Sequence, residues 1–212
     1  MGFTLFPEIF LVRNLKPSTL GYFQLYLPLC FPFLMGNWFK MFLRHIYLFM
    51  NYRLDLLRQH GLGMNEIQEV IASLKPLDGA VEFIDWLRER FQIVILSDTF
   101  YEFASPLMKQ LGYPTLLCHR LESDANGAVT NYKLRQANPK RQAIVAFKSL
   151  YYRTIAAGDS YNDTTMLGEA DAGILFHAPQ NVIDEFPQFP AVQTFAALKQ
   201  EFVRASNRDI EL

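Results

Sequence analysis

At 212 residues, half of them apolar, the chain fits one α/β domain with a substantial buried core and room for a small inserted cap. A formal net charge of −1 and a pI near 6.4 exclude a general electrostatic grip on nucleic acid, so an anionic ligand needs a local basic pocket. Cys30 and Cys118 are too few for a disulfide framework and lack zinc-ligand spacing, which suits a reducing cytoplasm.

Residues 1–49 form an atypical aromatic-rich segment. Of the 21 acidic residues only Glu8 precedes Asp55, and nearly half of the aromatic residues lie before Arg53. Pro17 to Phe39 is an uncharged run between Lys16 and Lys40, long enough for a bilayer core of about 30 Å. Pro28, Pro32, Gly21, Gly36, Gln24 and Asn37 interrupt it. Each proline inside a helix costs about 3 kcal/mol, so a membrane span is not expected. A cleavable leader is not expected either, because no short apolar region precedes a small-residue cleavage site. The expectation is a segment foreign to the fold, translated out of frame or from a misplaced start.

Met50 to His60 and Asn65 to Leu74 carry apolar residues at helical spacing, with Gly61 and Gly63 as the break. Two short antiparallel helices over residues 50–76 are the expected remnant of a helical cap. Pro76 and Gly79 open the core domain, residues 77–212, and Ala80 to Phe91 repeats the helical pattern. Gln92 to Ser97 is a short β-branched apolar run without alternation, which suits a strand covered on both faces and hence a parallel sheet. Helix and strand then alternate: Tyr101 to Leu111, Thr115 to Cys118, Arg141 to Leu150, Thr154 to Ala157, Asn162 to Ala170 and Ala172 to Phe176. This alternation predicts a doubly wound sheet. Between Leu121 and Leu134, Asn126-Gly127 marks a hairpin turn, read as a small flap.

Ligands of open α/β sheets bind beyond the carboxyl ends of the strands, so polar residues after apolar runs are the first candidates. Ser97-Asp98-Thr99 is one: its hydroxyl and the amides entering the next helix could hold phosphate, or Ser97 could be only an N-cap. Gly158-Asp-Ser-Tyr-Asn-Asp163 is a second, stronger one. Asp159 on a glycine turn can present its carboxylate to a hard cation such as Mg²⁺, while Asn162 and Asp163 can cap the following helix and orient metal-bound water or ligand. The third is Asn138-Pro-Lys-Arg-Gln142. A lysine at a helix N-terminus opposes the dipole, so Lys140 is either solvated or held by an anion, and a phosphoryl group near Ser97 and Asp159 would make it a clamp.

The order strand-end Ser97, Pro139-Lys-Arg141, Gly158-Asp-Ser-Tyr-Asn-Asp163 resembles the later motifs of the haloacid dehalogenase-like superfamily, specifically its phosphoserine phosphatases. Gln68-Glu-Val-Ile-Ala72, Val94-Ile-Leu-Ser-Asp-Thr-Phe-Tyr101 and Phe147-Lys-Ser-Leu-Tyr-Tyr152 are similar to the branch of bifunctional bacterial phosphoserine phosphatase/homoserine phosphotransferases, from Met50 to Leu212. The resemblance implies a Rossmann-like core with a helical cap, a small phosphorylated amino-acid substrate, Mg²⁺, and an aspartate nucleophile that forms an aspartyl-phosphate. It implies that Asp159 binds the metal with Asp163 behind it. Ser97 and Asp98 would contact substrate, Lys140 would hold the phosphate and Asn162 would help position it. Glu8 and Arg53 would meet the rest of the substrate, Arg53 at its carboxylate.

The family's first strand should end in Asp-x-Asp or Asp-x-Glu followed by Gly, yet no aspartate precedes Asp55. Gly2 to Ile9 looks like the stretch just after that motif, so the missing carboxylates are expected upstream of Met1. The family resemblance vanishes between Pro17 and Phe49. The chain as written is therefore expected to be catalytically impaired. Rival expectations are a non-catalytic phospholigand-binding protein and a membrane-anchored relative. Oligomeric state stays open, a homodimer included.

Overall fold

The computed structural model describes residues 59–206, together with Asp55. Helix α1 (Met64–Ala72) starts where Glu66 Oε2 accepts the Gly63 N–H at 2.8 Å, a carboxylate offsetting the unsatisfied donors and positive pole of the helix N-terminus. Helix α2 (Ala80–Arg88) follows Gly79, whose φ of +86° suits glycine. α2 buries Phe83, Ile84, Trp86 and Leu87.

Strand β1 (Val94–Phe100) buries the consecutive residues Ile95, Leu96 and Ser97, as expected of a strand covered on both faces. Helix α3 (Tyr101–Gln110) holds Pro106, which cannot donate to the Glu102 carbonyl four residues earlier. Gln68 Nε2 of α1 donates to that oxygen at 3.2 Å, so the defect in one helix becomes the attachment of another. Strand β2 (Thr115–Ser123) runs past the expected end at Cys118 because it changes partner. It pairs parallel with β1 as far as His119, then antiparallel with β3 (Val129–Lys133) from Arg120. Asp124 Oδ1 accepts the N–H groups of Asn126 and Ala128 in the hairpin turn. The Gly127 carbonyl accepts the Met64 N–H at 2.8 Å, which ties the hairpin tip to α1.

Helix α4 (Pro139–Ser149), strand β4 (Ile155–Gly158), a 3₁₀ turn (Tyr161–Asp163), helix α5 (Thr164–Glu169) and strand β5 (Ala172–Phe176) complete the expected series. Three elements follow that were not expected: α6 (Gln180–Glu185), β6 (Ala191–Val192) and α7 (Phe195–Ser206). α6 and β6 are too short to show a period, whereas Phe195, Leu198 and Phe202 carry a helical one in α7.

The described strands form two three-stranded sheets, β1-β2-β3 and β4-β5-β6, the second wholly parallel. Both share one core on each face. Ile95 and Ala157 lie with Phe83, Leu107 and Leu198 on the face of α2, α3 and α7; Leu96 and Ala156 lie with Ile144 and Leu167 on the face of α4 and α5. The half-sheets thus belong to one α/β layer with helices on both sides, the doubly wound arrangement expected. Among the described residues, β1 pairs only with β2 and β4 only with β5, so each has one edge without a described partner. Glu8, Arg53, the run Pro17 to Phe39 and most of the expected helix Met50 to His60 lie outside the described residues. Within those residues no helix is long and apolar enough to cross a membrane.

Candidate active site

The carboxyl ends of β1 and β4 carry the polar residues that the strand-end rule selected. The β1–β2 register becomes irregular between Leu96 and Phe100, and Ser97, Asp98 and Thr99 occupy that stretch. Ser97 is 3% exposed, and its Oγ accepts the Thr99 N–H at 3.2 Å. The Asp98 side chain is half-exposed and sets Oδ2 2.8 Å from Lys140 Nζ.

Lys140 reaches this point because α4 begins with Pro139 after Asn138, whose φ of +46° is left-handed. Although it is an N-terminal residue of its helix, Lys140 is 3% exposed. The alternatives of solvation and anion contact are thereby decided: two carboxylates hold it. Nζ also donates to Asp163 Oδ1 at 2.9 Å, and Asp163 is fully buried. Buried ion pairs of this kind are poor sources of net stability, while removing one partner costs about 3–5 kcal/mol.

Asp163 was expected to cap the helix after the glycine turn. It does stand at the start of α5, but its side chain makes no cap hydrogen bond to that helix. Oδ2 turns back instead and accepts the N–H of Asp159 at 3.1 Å, the N–H of Ser160 at 3.0 Å and the Ser160 hydroxyl at 2.9 Å. Gly158 permits this: a Cβ there would lie 2.5 Å from Asp163 Cβ and 2.7 Å from its Cγ. Asp163 thus fixes the backbone that presents Asp159. Asn162 is exposed in the 3₁₀ turn.

Asp159 is 8% exposed, and its Oδ1 is a buried oxygen with no hydrogen-bond partner. Burial, reinforced by the Asp163 carboxylate, pushes its pKa up to about 7, against the opposing pull of Lys140. A carboxylate in that position is satisfied by a hard cation, so the donor chemistry fits a divalent metal. Among the described residues no cluster of three His, Cys, Asp or Glu side chains could hold such an ion. Asp159 would therefore be one ligand, with water, substrate or a residue outside the described set as the others.

One residue of this cluster was missed. His119 lies on β2 opposite Phe100 of β1, is 8% exposed, and places Nε2 3.9 Å from Asp98 Oδ1. It follows the apolar run Leu116-Leu-Cys118, so the rule that selected Ser97 and Asp159 would have selected it too. Lys140 therefore links the two strand ends: His119, Asp98, Lys140, Asp163 and the Asp159 backbone form one chain of contacts, with Ser97 beside Asp98.

A family model for haloacid dehalogenase-like hydrolases matches residues 48–171. A phosphoserine phosphatase of Pseudomonas syringae pv. tomato is 72% identical over 163 residues, covering 77% of this chain and 69% of that relative. The phosphoserine phosphatase ThrH of Pseudomonas aeruginosa is 71% identical over 163 residues, covering 77% of this chain and 80% of its own length. Among solved structures, a phospho-aspartyl intermediate analogue of phosphoserine phosphatase aligns with TM-score 0.57 at 21% identity, over 66% of this chain and 70% of that one. The phosphoserine phosphatase of T. onnurineus aligns with TM-score 0.53 at 23% identity, over 82% and 88%. At such identities the structural matches speak for the fold, and the sequence matches speak for the family. The chain belongs to the haloacid dehalogenase-like hydrolase family.

Proposed function

We propose that the chain is a phosphoserine phosphatase in its binding chemistry, with Mg²⁺ at Asp159 and a capacity to pass the phosphoryl group to homoserine, but that turnover is impaired in the sequence as it stands. The observation that carries this reading is Lys140 spanning Asp98 at the β1 tip and Asp163 behind the β4 tip, next to the unsatisfied Oδ1 of Asp159. The two Pseudomonas relatives, both named as phosphoserine phosphatases, supply the substrate class.

In this reading the phosphoryl group lies between the strand tips. The Ser97 hydroxyl donates to one of its oxygens, and Lys140 neutralises charge that grows toward the transition state. Asp163 holds Lys140 in place and holds the turn that carries Asp159. The metal, when bound, supplies further charge neutralisation. Asp98 contacts substrate, Asn162 helps to position it from the exposed 3₁₀ turn, and Glu8 and Arg53 meet the amino-acid portion, Arg53 at the carboxylate.

The nucleophilic carboxylate has no counterpart in the residues before Asp55, where no aspartate occurs. In this reading a strand carrying it pairs with β1 and β4, each of which has one edge without a described partner. Chain supplied with an Asp-x-Glu-Gly strand and a family cap should release phosphate from O-phosphoserine with Mg²⁺, at a rate at least a thousandfold, on the order of 4 kcal/mol, above the chain as it stands. A folded, metal-loaded chain of that kind that leaves O-phosphoserine intact contradicts the proposal. The absence of an aspartate before Asp55 also favours a second reading, a phospholigand-binding protein without catalysis. Substrate binding together with inactivity of the completed chain would select it.

A further inference from the structure

Asp98 is an odd neighbour for a phosphate. It is an anion already seated on Lys140, the cation that the proposed phosphoryl group also needs. A phosphorylated ligand must displace the carboxylate from Lys140 or suffer its repulsion at close range. The displaced carboxylate then needs another partner, and one stands on its other side.

His119 Nδ1 accepts the Arg135 backbone N–H at 3.1 Å. This assignment leaves the proton of the neutral ring on Nε2, the nitrogen that faces Asp98 Oδ1. The ring is held by its burial and by Phe100, whose centroid lies 6.0 Å away. At 3.9 Å the contact with Asp98 is electrostatic rather than a formed hydrogen bond, whereas Lys140 holds the other carboxylate oxygen at 2.8 Å. Asp98 therefore sits between two donors, engaged by one and within a small side-chain shift of the other.

We propose that Asp98 and a phosphoryl group compete for Lys140, and that His119 is a positioning residue that takes up the Asp98 carboxylate when a phosphorylated ligand claims Lys140. The inference deepens the proposed function and rests on it for the place of the phosphate. Burial, with Lys140 and Arg135 acting in the same direction, holds the His119 pKa below its ordinary value against the pull of Asp98, so a neutral Nε2–H donor serves. No proton moves: a hydrogen bond from Nε2–H to Oδ1 forms as the contact between Nζ and Oδ2 is given up.

Two substitutions separate this role from a structural one. His119→Asn keeps an acceptor near the position of Nδ1 for the Arg135 N–H but loses the donor toward Asp98. His119→Gln keeps a donor near the position of Nε2. The measurement is calorimetric titration of the full chain with inorganic phosphate and with O-phosphoserine, both with Mg²⁺, beside thermal melts of each variant. The expected result is roughly tenfold weaker binding of both ligands in His119→Asn with little change in melting temperature, matching the loss of one hydrogen bond to a charged group. Restoration to within about threefold is expected in His119→Gln, and no further loss when His119→Asn is combined with Asp98→Asn. In histidine ¹⁵N spectra of the wild-type chain, the Nε2 resonance of His119 should shift as ligand saturates. Equal weakening in both variants with lowered melting temperatures overturns the inference in favour of a structural histidine, and unchanged affinity in His119→Asn overturns it outright. Phosphate binding without O-phosphoserine binding removes the proposed substrate but leaves the His119 comparison intact. Failure of the wild-type chain to bind either ligand overturns both.

Discussion

Asp159 shows at the scale of one side chain how a candidate binding site differs from a well-packed core. Its carboxyl is pushed up to about 7 from an ordinary 3.8, chiefly by burial. The folded protein therefore holds that proton more tightly than the unfolded chain does. This group costs nothing below pH 3.8, destabilises progressively as pH rises toward 7, and exacts its full penalty above that. At about 1.4 kcal/mol per pH unit the penalty is at most roughly 4 kcal/mol. Asp159→Asn, unfolded by urea in the presence of EDTA, should thus be more stable than the wild-type chain at pH 8 and nearly equal to it at the acid end. Saturating Mg²⁺ should narrow the gap at pH 8 by stabilising only the wild-type chain. Equal stabilities at pH 8 without metal would show that the Asp159 carboxylate carries no such penalty.

Among the elements, α5 is seated closely on β5. Gly173 of β5 lies so close to it that a Cβ would stand 2.6 Å from the Leu167 carbonyl oxygen and 2.8 Å from Leu167 Cβ. Gly173→Ala must push α5 outward, and Asp163 leads directly into α5. The expected outcome is a loss of about 1–3 kcal/mol in urea unfolding and weaker ligand binding, although the substitution lies outside the site. Retention of both would show that the seat yields without moving Asp163. Much of this level was legible in advance. A short β-branched run located β1, the alternation of helix and strand located β5, Pro139 marked the start of α4, and the Asn126-Gly127 turn marked the hairpin. The strand-end rule found Ser97 and Asp159 because it needs only the local order of apolar and polar residues. It could not reveal that Asp98 and Asp163 share Lys140, since those partners are distant in sequence and only the packing of α4 across both half-sheets joins them. Nor could it reveal that Asp163 serves the turn before it rather than the helix after it.

At the largest scale, the described residues form a single α/β layer divided into two sheets, whose halves share a core on each face and an ionic bridge at one end. Parallel strands depend on neighbours on both edges for their backbone hydrogen bonds, and β1 and β4 each have one edge without a described partner. Chain supplied with the proposed nucleophile-bearing strand should therefore gain amide-exchange protection first in β1 and β4, together with its activity. Protection gained only elsewhere would place that strand wrongly.

The proposed site for a phosphate and a divalent ion at the β1 and β4 tips is tested most directly by calorimetric titration of the chain with O-phosphoserine, with Mg²⁺ and with EDTA. Saturable binding that requires Mg²⁺ and disappears in a folded Lys140→Met variant is the predicted result. Absence of binding by the folded wild-type chain with Mg²⁺ present, or binding that Lys140→Met leaves unchanged, would contradict it.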